Sequence, residues 1–115
     1  MTILLDGPAR LEANGDVLAA SGEADFEVAA ALASRGCEWL QTQARDARVH
    51  LDLSGVDRPS SAALSVMLEW LRCAQRQRLV VGSVRLSPSL YRLTAMAGLD
   101  RLLPSDGHAA VLEPH

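Results

Sequence analysis

The sequence predicts an α/β domain in which helices pack on a sheet, with the element order β-β-α-β-α-β-α and a last short apolar segment. Apolar residues alternate over residues 9–14, as in a half-buried strand, and Asn14-Gly15 is a strong signal for a hairpin turn. Two longer segments repeat apolar residues at helical spacing, and each leads into a short apolar segment typical of a strand. This alternation favours one domain with helices layered on a sheet.

The length and composition set the class of protein. A chain of 115 residues suffices for one domain with its own core, and 49% hydrophobic against 22% charged residues argues against disorder. The net charge is −3, so we expect neither nucleic acid nor anionic lipid as the main partner. No segment approaches the ~18 consecutive apolar residues of a membrane span. No signal peptide opens the chain. We expect a cytoplasmic protein.

The N-terminal half is predicted from turn and periodicity signals. Residues 1–8 are expected to be a loose entry segment, followed by the strand over 9–14 and a returning strand over Asp16–Ser21. A helix is predicted over about Asp25–Gln43, with acidic residues at its start that suit the helix dipole. Val49–Leu53 then alternates as a strand does.

The C-terminal half continues with a helix over Ala62–Arg78 and a strand over Leu79–Val84. Ser87-Pro88 predicts a third helix, since Ser suits the N-cap and Pro the first helical position, and that helix is expected to stop at Gly98. Residues 99–103 are a candidate edge strand. Residues 105–115 are expected to form a tail.

The second predicted helix carries a stripe expected to be buried, and the opposite face is expected to be exposed. Glu69, Arg72 and Arg76 lie on the exposed face, where they can interact electrostatically with a partner or remain solvated. Trp70 is either a large anchor for a partner or partly buried against a neighbouring helix. The stripe expected to be buried consists of Leu64, Met67, Leu68, Leu71 and Ala74.

Cysteine and histidine give no evidence for a metal or cofactor. Cys37 and Cys73 lie far apart in apolar segments, and we interpret them as reduced core thiols rather than as a disulfide or redox pair. The three histidines are scattered, so no metal site is proposed. No cofactor is expected.

The sequence does not predict an enzyme. It contains no GxSxG, Walker, GxGxxG or HExxH motif. A serine, histidine and aspartate site can be drawn from Ser61, His50 and Asp52, but the last two share one face of a strand, where such pairs are usually surface neighbours.

The loop over Ser54–Ser61 is the candidate functional locus. Pro59 constrains the approach to the second helix, and the hydroxyls of Ser60 and Ser61 follow beside the unpaired amides of the helix start. Those amides stabilise an anion placed there, so a phosphoserine or a docked partner is one interpretation. Plain N-capping is the other.

The same locus resembles a known family. Residues 51–64 read Leu-Asp-Leu-Ser-Gly-Val-Asp-Arg-Pro-Ser-Ser-Ala-Ala-Leu. They resemble the signature of STAS domains, the fold of bacterial anti-sigma-factor antagonists. Residues 18–25 resemble the family's second strand and its turn, and residues 86–99 its third helix. The resemblance implies the STAS (SpoIIAA-like) fold, a mixed sheet of four to five strands with an N-terminal hairpin and helices mainly on one face.

Within the family, the chain looks most like the MlaB-type subunits of phospholipid-trafficking ABC transporters. The Ser-Gly-Glu turn, the Val-x-Arg over residues 56–58 and the ending Leu103-Pro104 carry that similarity. Ser61 matches the residue that is phosphorylated in sporulation-type antagonists and is Thr in MlaB-type proteins. Ser60 stands where the family usually has Asp, and Ala63 where it has Gly.

The resemblance implies a noncatalytic docking subunit that binds the ATPase of a lipid-transport ABC complex, together with its permease. The protein is then peripheral to the inner membrane through that complex. The alternative is an anti-sigma factor antagonist that captures a kinase and is controlled by phosphorylation of Ser61. The residues expected to touch the partner are Arg58, Pro59, Ser60, Ser61, Ala63, Glu69, Trp70, Arg72 and Arg76.

Overall fold

The sheet of the computed structural model has five strands in the order β1-β2-β3-β4-β5, and three α-helices pack on one of its faces. The structure describes residues 2–23, 25–56 and 61–103. Neighbouring strands are antiparallel from β1 to β3 and parallel from β3 to β5. The elements are β1 (Thr2–Leu5), β2 (Ala9–Asn14), β3 (Val17–Gly22), α1 (Phe26–Gln41), β4 (Arg48–Val56), α2 (Ser61–Gln77), β5 (Val80–Leu86), α3 (Pro88–Met96) and a 3-10 turn (Asp100–Leu102).

The expectation of a loose entry segment over residues 1–8 is wrong, because Thr2–Leu5 forms an edge strand. It pairs antiparallel with β2, with Thr2 opposite Ala13 and Leu5 opposite Leu11. Leu5 also packs against the core. The Asp-Gly-Pro sequence after it is therefore the connection between two strands rather than part of an unstructured leader.

The predicted hairpin is confirmed between β2 and β3. Asn14 pairs with Val17, and Gly15 takes a φ of +62°, which the absence of a Cβ allows. The parallel part of the sheet follows from two crossovers, since α1 joins β3 to β4 and α2 joins β4 to β5.

Helix starts and ends agree well with the sequence signals. Asp25 is the N-cap of α1 and accepts a hydrogen bond of 3.0 Å from the amide of Val28. Ser87 caps α3 in the same way through the amide of Leu90. The chain leaves α3 through Gly98 at a φ of +73°. The candidate edge strand over residues 99–103 is wrong, because this segment turns back as a 3-10 helix.

The buried face of α2 is rotated from the predicted stripe. Met67 and Ala74 are buried as expected, but Leu68 and Leu71 are only half-buried. The reason is that α2 packs against α1 as well as against the sheet, so its buried sector is wider and centred elsewhere. The buried residues are Ala62, Ala63, Leu64, Val66, Met67, Trp70, Cys73 and Ala74.

The contact between α1 and α2 is very close at Gly36. A Cβ built on Gly36 would lie 2.2 Å from the indole nitrogen of Trp70, so the ring occupies the space of a side chain. Trp70 is fully buried, and its Nε1 donates a hydrogen bond of 3.1 Å to the carbonyl of Leu32. The indole thereby buries its large apolar surface without leaving its N–H unpaired.

The interpretation of Cys37 and Cys73 as reduced thiols is corrected by the structure, which joins them in a disulfide between α1 and α2. Their Cα atoms are 5.8 Å apart although the residues are 36 positions apart in sequence. Sequence reasoning missed the pair because each cysteine also fits its helix as a small apolar residue, and only the docking of the two helices brings them together.

Replacing Gly36 with Ala is expected to destabilise the domain, because the added methyl group overlaps a buried ring that has no room to move. Overpacking of this kind costs typically ~1–3 kcal/mol. Chemical denaturation of the purified variant measures the loss in free energy of unfolding. Gly7→Ala is the matched control, since the nearest atom to its built Cβ is 3.9 Å away. Equal stability of the two variants would contradict the described helix contact.

Candidate functional site

Ser61 is the first residue of α2 and is exposed. The backbone carbonyl of Ser61 accepts a hydrogen bond of 2.9 Å from the hydroxyl of Ser65, one turn further on. Its position at an accessible helix start agrees with the location expected for a docking or modification residue. The predicted contacts Arg58, Pro59 and Ser60 lie outside the described residues.

The strand that leads to this locus is held by its own side chains. The Asp52 carboxylate accepts hydrogen bonds from the amide of Ser54 at 2.9 Å and from the Ser54 hydroxyl at 2.5 Å. Gly55 then pairs with Ser21 of β3, and a Cβ on Gly55 would lie 2.8 Å from the Ser21 Cβ. The Asp-Leu-Ser-Gly sequence therefore fixes the end of β4 close to β3.

One exposed stripe of α2 runs from Ser61 to the far end of the helix. We call it the outer stripe; its members follow one another at intervals of three and four residues and so share one face. Arg72 is the most prominent side chain on it, with 64% of its side-chain surface exposed. The outer stripe consists of Ser61, Ser65, Leu68, Arg72 and Gln75.

A charged cluster adjoins the outer stripe. The Glu69 carboxylate lies 2.9 Å from the Arg72 guanidinium and 3.8 Å from that of Arg76. Both arginines are mainly exposed, and ion pairs of this kind contribute only ~0–1 kcal/mol to stability. The two cations can therefore change partners at low cost. The predicted exposure agrees with the structure for Arg72 and Arg76, whereas Glu69 is half-buried.

Two residues expected to touch a partner are buried instead. Trp70 fills the contact with α1 and is not available as a surface anchor. Ala63 is also fully buried, so its methyl group belongs to the core rather than to a contact surface. The sequence analysis left open whether Trp70 contacts a partner or lies against a neighbouring helix, and the structure shows the second arrangement, with α1 covering the ring.

An apolar groove beside the outer stripe was not predicted. It has a volume of about 660 Å³ and is lined on one side by Leu68 and Leu71 of α2, and on the other by Leu99 and Leu102. Leu102 is 50% exposed. Arg101 stands at its border. The groove exists because residues 99–103 turn back toward α2 rather than extending as a strand.

The catalytic alternative drawn from Ser61, His50 and Asp52 is not assembled. His50 Nδ1 lies 2.8 Å from the Ser83 hydroxyl, and its Nε2 lies 3.8 Å from a carboxylate oxygen of Asp16. Asp52 is engaged with Ser54. The three residues of the alternative therefore face separate partners.

A second group of chemically active side chains was also missed from the sequence. Cys37, Glu69 and Cys73 bring their sulfur and carboxylate oxygen atoms within 4.8 Å of one another between α1 and α2. Glu69 and Cys73 are four residues apart on one helix, a spacing visible in the sequence. Cys37 is not predictable as their neighbour without the helix pairing.

Comparison with known proteins gives one family. A family model described as "Mlab, STAS domain" matches residues 9–104. No curated protein matches the chain. Among the helices in the described part of the chain, none has the length and apolar character required to cross a membrane.

Proposed function

Because this chain belongs to the STAS domain family, we propose that it is a noncatalytic subunit that binds and stabilises the ATPase of a phospholipid-transport ABC complex. STAS domains are generally regulatory rather than enzymatic. In this proposal the protein works in the cytoplasm and reaches the inner membrane through the ATPase and its permease. The complex would maintain the lipid asymmetry of the outer membrane.

The observation that carries the proposal is the continuity of one surface on α2. The exposed Ser61 begins the outer stripe, the charged cluster adjoins it, and the apolar groove lies along its other side. Leu102 supplies an exposed apolar residue at the groove, a role that Trp70 was expected to fill. Apolar residues beside a charged border are the usual composition of a protein interface.

The charge of this surface suggests what it binds. The chain as a whole has a net charge of −3, whereas the described part of this surface carries the three cations Arg72, Arg76 and Arg101 beside the carboxylate of Glu69. A partner that presents an apolar ridge flanked by acidic side chains would complement it. Complementary charge of this kind mainly raises the rate of association and selects the partner.

The alternative function is an anti-sigma factor antagonist controlled by phosphorylation. It is favoured by the exposure of Ser61 at the start of α2, since the positive end of a helix dipole stabilises a phosphate. It is disfavoured by Ser60, which replaces the acidic neighbour that such a site usually keeps. The two functions differ in the partner, an ABC ATPase or an anti-sigma kinase.

Replacing Ser61 with Glu is expected to weaken binding of the ATPase subunit by about tenfold, which corresponds to ~1.4 kcal/mol. The substitution puts a desolvated charge into the interface but leaves the fold intact, since a helix start tolerates an acid. Titration calorimetry with the purified ATPase subunit of the phospholipid-transport ABC complex measures the dissociation constant.

The matched control for this variant is Ser89→Glu, which changes another exposed serine in the first turn of α3. It should bind as the unmodified protein does. Unchanged affinity of the Ser61 variant removes this locus from the interface. Binding of an anti-sigma kinase, with none of the ATPase, would support the alternative function.

Replacing Leu102 with Arg is expected to reduce affinity for the same ATPase by about tenfold, because it removes an apolar contact and adds a cation to the groove. Met96→Arg is the control, since Met96 is 84% exposed on α3 and does not line the groove. Both variants should keep the melting temperature of the unmodified protein. If both bind equally well, the groove is not part of the interface.

A further inference from the structure

The disulfide between α1 and α2 lies beside a carboxylate. The two sulfur atoms and a carboxylate oxygen of Glu69 lie within 4.8 Å of one another. Glu69 and Cys73 are at positions i and i+4 of α2, which places both side chains on one face of the helix. Cys37 reaches the same point from α1, so three donor atoms converge from two helices.

We propose that, in the reduced protein, Cys37, Glu69 and Cys73 form a binding site for Zn²⁺, and that the disulfide is the oxidised, metal-free form of the same site. This inference is independent of the proposed partner, since it concerns the chain alone. Two thiolates and a carboxylate are ligands that Zn²⁺ takes in proteins.

The geometry of the cluster suits a tetrahedral ion. Zn–S bonds of about 2.3 Å and Zn–O bonds of about 2.0–2.2 Å place neighbouring ligand atoms roughly 3.5 Å apart. The two sulfur atoms and the carboxylate oxygen already lie within 4.8 Å of one another. Once the sulfur–sulfur bond opens, rotation of the cysteine side chains is enough to move the two sulfur atoms apart to this spacing. Both cysteines are more than nine-tenths buried, so the two sulfur ligands are held within the contact between α1 and α2.

Three protein ligands leave the fourth position of the ion free. A groove of about 480 Å³ opens over the cluster, and its walls include both cysteines and Glu69. A water molecule or a small external ligand has access to the ion from that side. Zinc sites with three protein ligands and an open position are typical of sites that exchange a ligand rather than purely structural ones.

The redox step needs a reductant, and a dithiol supplies it. The Cys37–Cys73 bond breaks, each sulfur receives one electron and one proton, and the dithiol closes into its own disulfide. Each cysteine thiol then releases its proton to solvent when Zn²⁺ binds. Reducing compartments keep such pairs as thiols, and there the metal-binding form is the stable one.

Arg76 is the residue that competes with the metal. Its Nη2 lies 3.1 Å from the sulfur of Cys73 and 3.8 Å from the Glu69 carboxylate. A guanidinium at this place stabilises a thiolate but repels a divalent cation. Because 60% of its side chain is exposed, it can turn into solvent when the ion enters. Removing it should therefore strengthen metal binding.

The test uses the full chain after reduction with a dithiol. The dithiol is then removed under anaerobic conditions, so that the two cysteines stay reduced. Co²⁺ is titrated first, because thiolate ligation gives an intense charge-transfer absorption, and Zn²⁺ is then added to displace it. The reduced protein is expected to bind one Co²⁺, and the oxidised protein none. Zn²⁺ should also raise the melting temperature of the reduced protein only.

The variants assign the ligands. Loss of a residue that only hydrogen-bonds to a metal ligand costs roughly 10–100-fold in metal affinity. Because Glu69 is proposed as a ligand itself, Glu69→Gln is expected to cost at least about tenfold. Glu38→Gln, in the same groove, is the matched control and should have no effect. Arg76→Ala should bind more tightly, and Cys37→Ser should lose the charge-transfer band.

Absence of Co²⁺ and Zn²⁺ binding by the reduced protein would overturn the proposal, as would equal affinity of the Glu69 and Glu38 variants. If Cys37→Ser fails to fold, judged by its circular dichroism, Glu69→Gln decides the question because it keeps both cysteines. The measurement involves no partner protein, so its failure is separate from a failure of the proposed ATPase binding.

Discussion

The fit of the Trp70 ring against Gly36 is the contact on which the rest of the structure depends. It brings α2 so close to α1 that the ring lies where a side chain of residue 36 would be. The indole N–H of Trp70 donates a hydrogen bond to the carbonyl of Leu32 on α1, so the close approach leaves no buried donor of Trp70 unpaired. This contact decides the rotation of α2 and hence which of its residues face solvent.

The rotation of α2 produces both the outer stripe and the cluster of Cys37, Glu69 and Cys73. With Trp70 and Met67 turned inward, the outer stripe faces solvent, and its half-buried member Leu68 lines the apolar groove beside the segment that follows α3. The same rotation turns Cys73 toward Cys37 and places Glu69 beside both the disulfide and Arg72 of the outer stripe. Glu69 is therefore shared by the charged cluster and the proposed metal site.

The end of β4 and the start of α2 are both anchored in the fold. Asp52 holds the end of β4 through Ser54, and Val56 is buried at the last position of the strand. On the other side, Ala62 and Ala63 are buried at the start of α2. Ser61 is thus an exposed residue at the anchored start of α2, which is the arrangement expected of a contact residue on a rigid scaffold.

Local signals in the sequence predicted most of the fold. The hairpin at Gly15, the N-cap Ser87 and the stop at Gly98 are each determined by one or two residues and are confirmed. The edge strand β1 was missed because its short apolar run has no alternating pattern and is followed by a turn sequence.

Features that depend on helix pairing could not be predicted in the same way. A single helical wheel shows which residues share a face, but it does not show that α2 is covered on two sides. Leu68 was therefore expected in the core, and the position of Trp70 was left open between the surface and a neighbouring helix. The disulfide and the neighbouring Glu69 carboxylate also depend on helix pairing, and they were missed for the same reason. The exposure of Ser61, Arg72 and Arg76 agrees with the sequence analysis.

The most direct test of the account is to identify what the outer stripe touches in the cell. A photoreactive amino acid placed at Ser65, in the middle of the stripe, is compared with one placed at Ser89 on α3. The account predicts a cross-link from position 65 to the ATPase subunit of an ABC transporter, identified by mass spectrometry, and none from position 89. Cross-links to an anti-sigma kinase, or equal cross-linking of the ATPase from both positions, would contradict it.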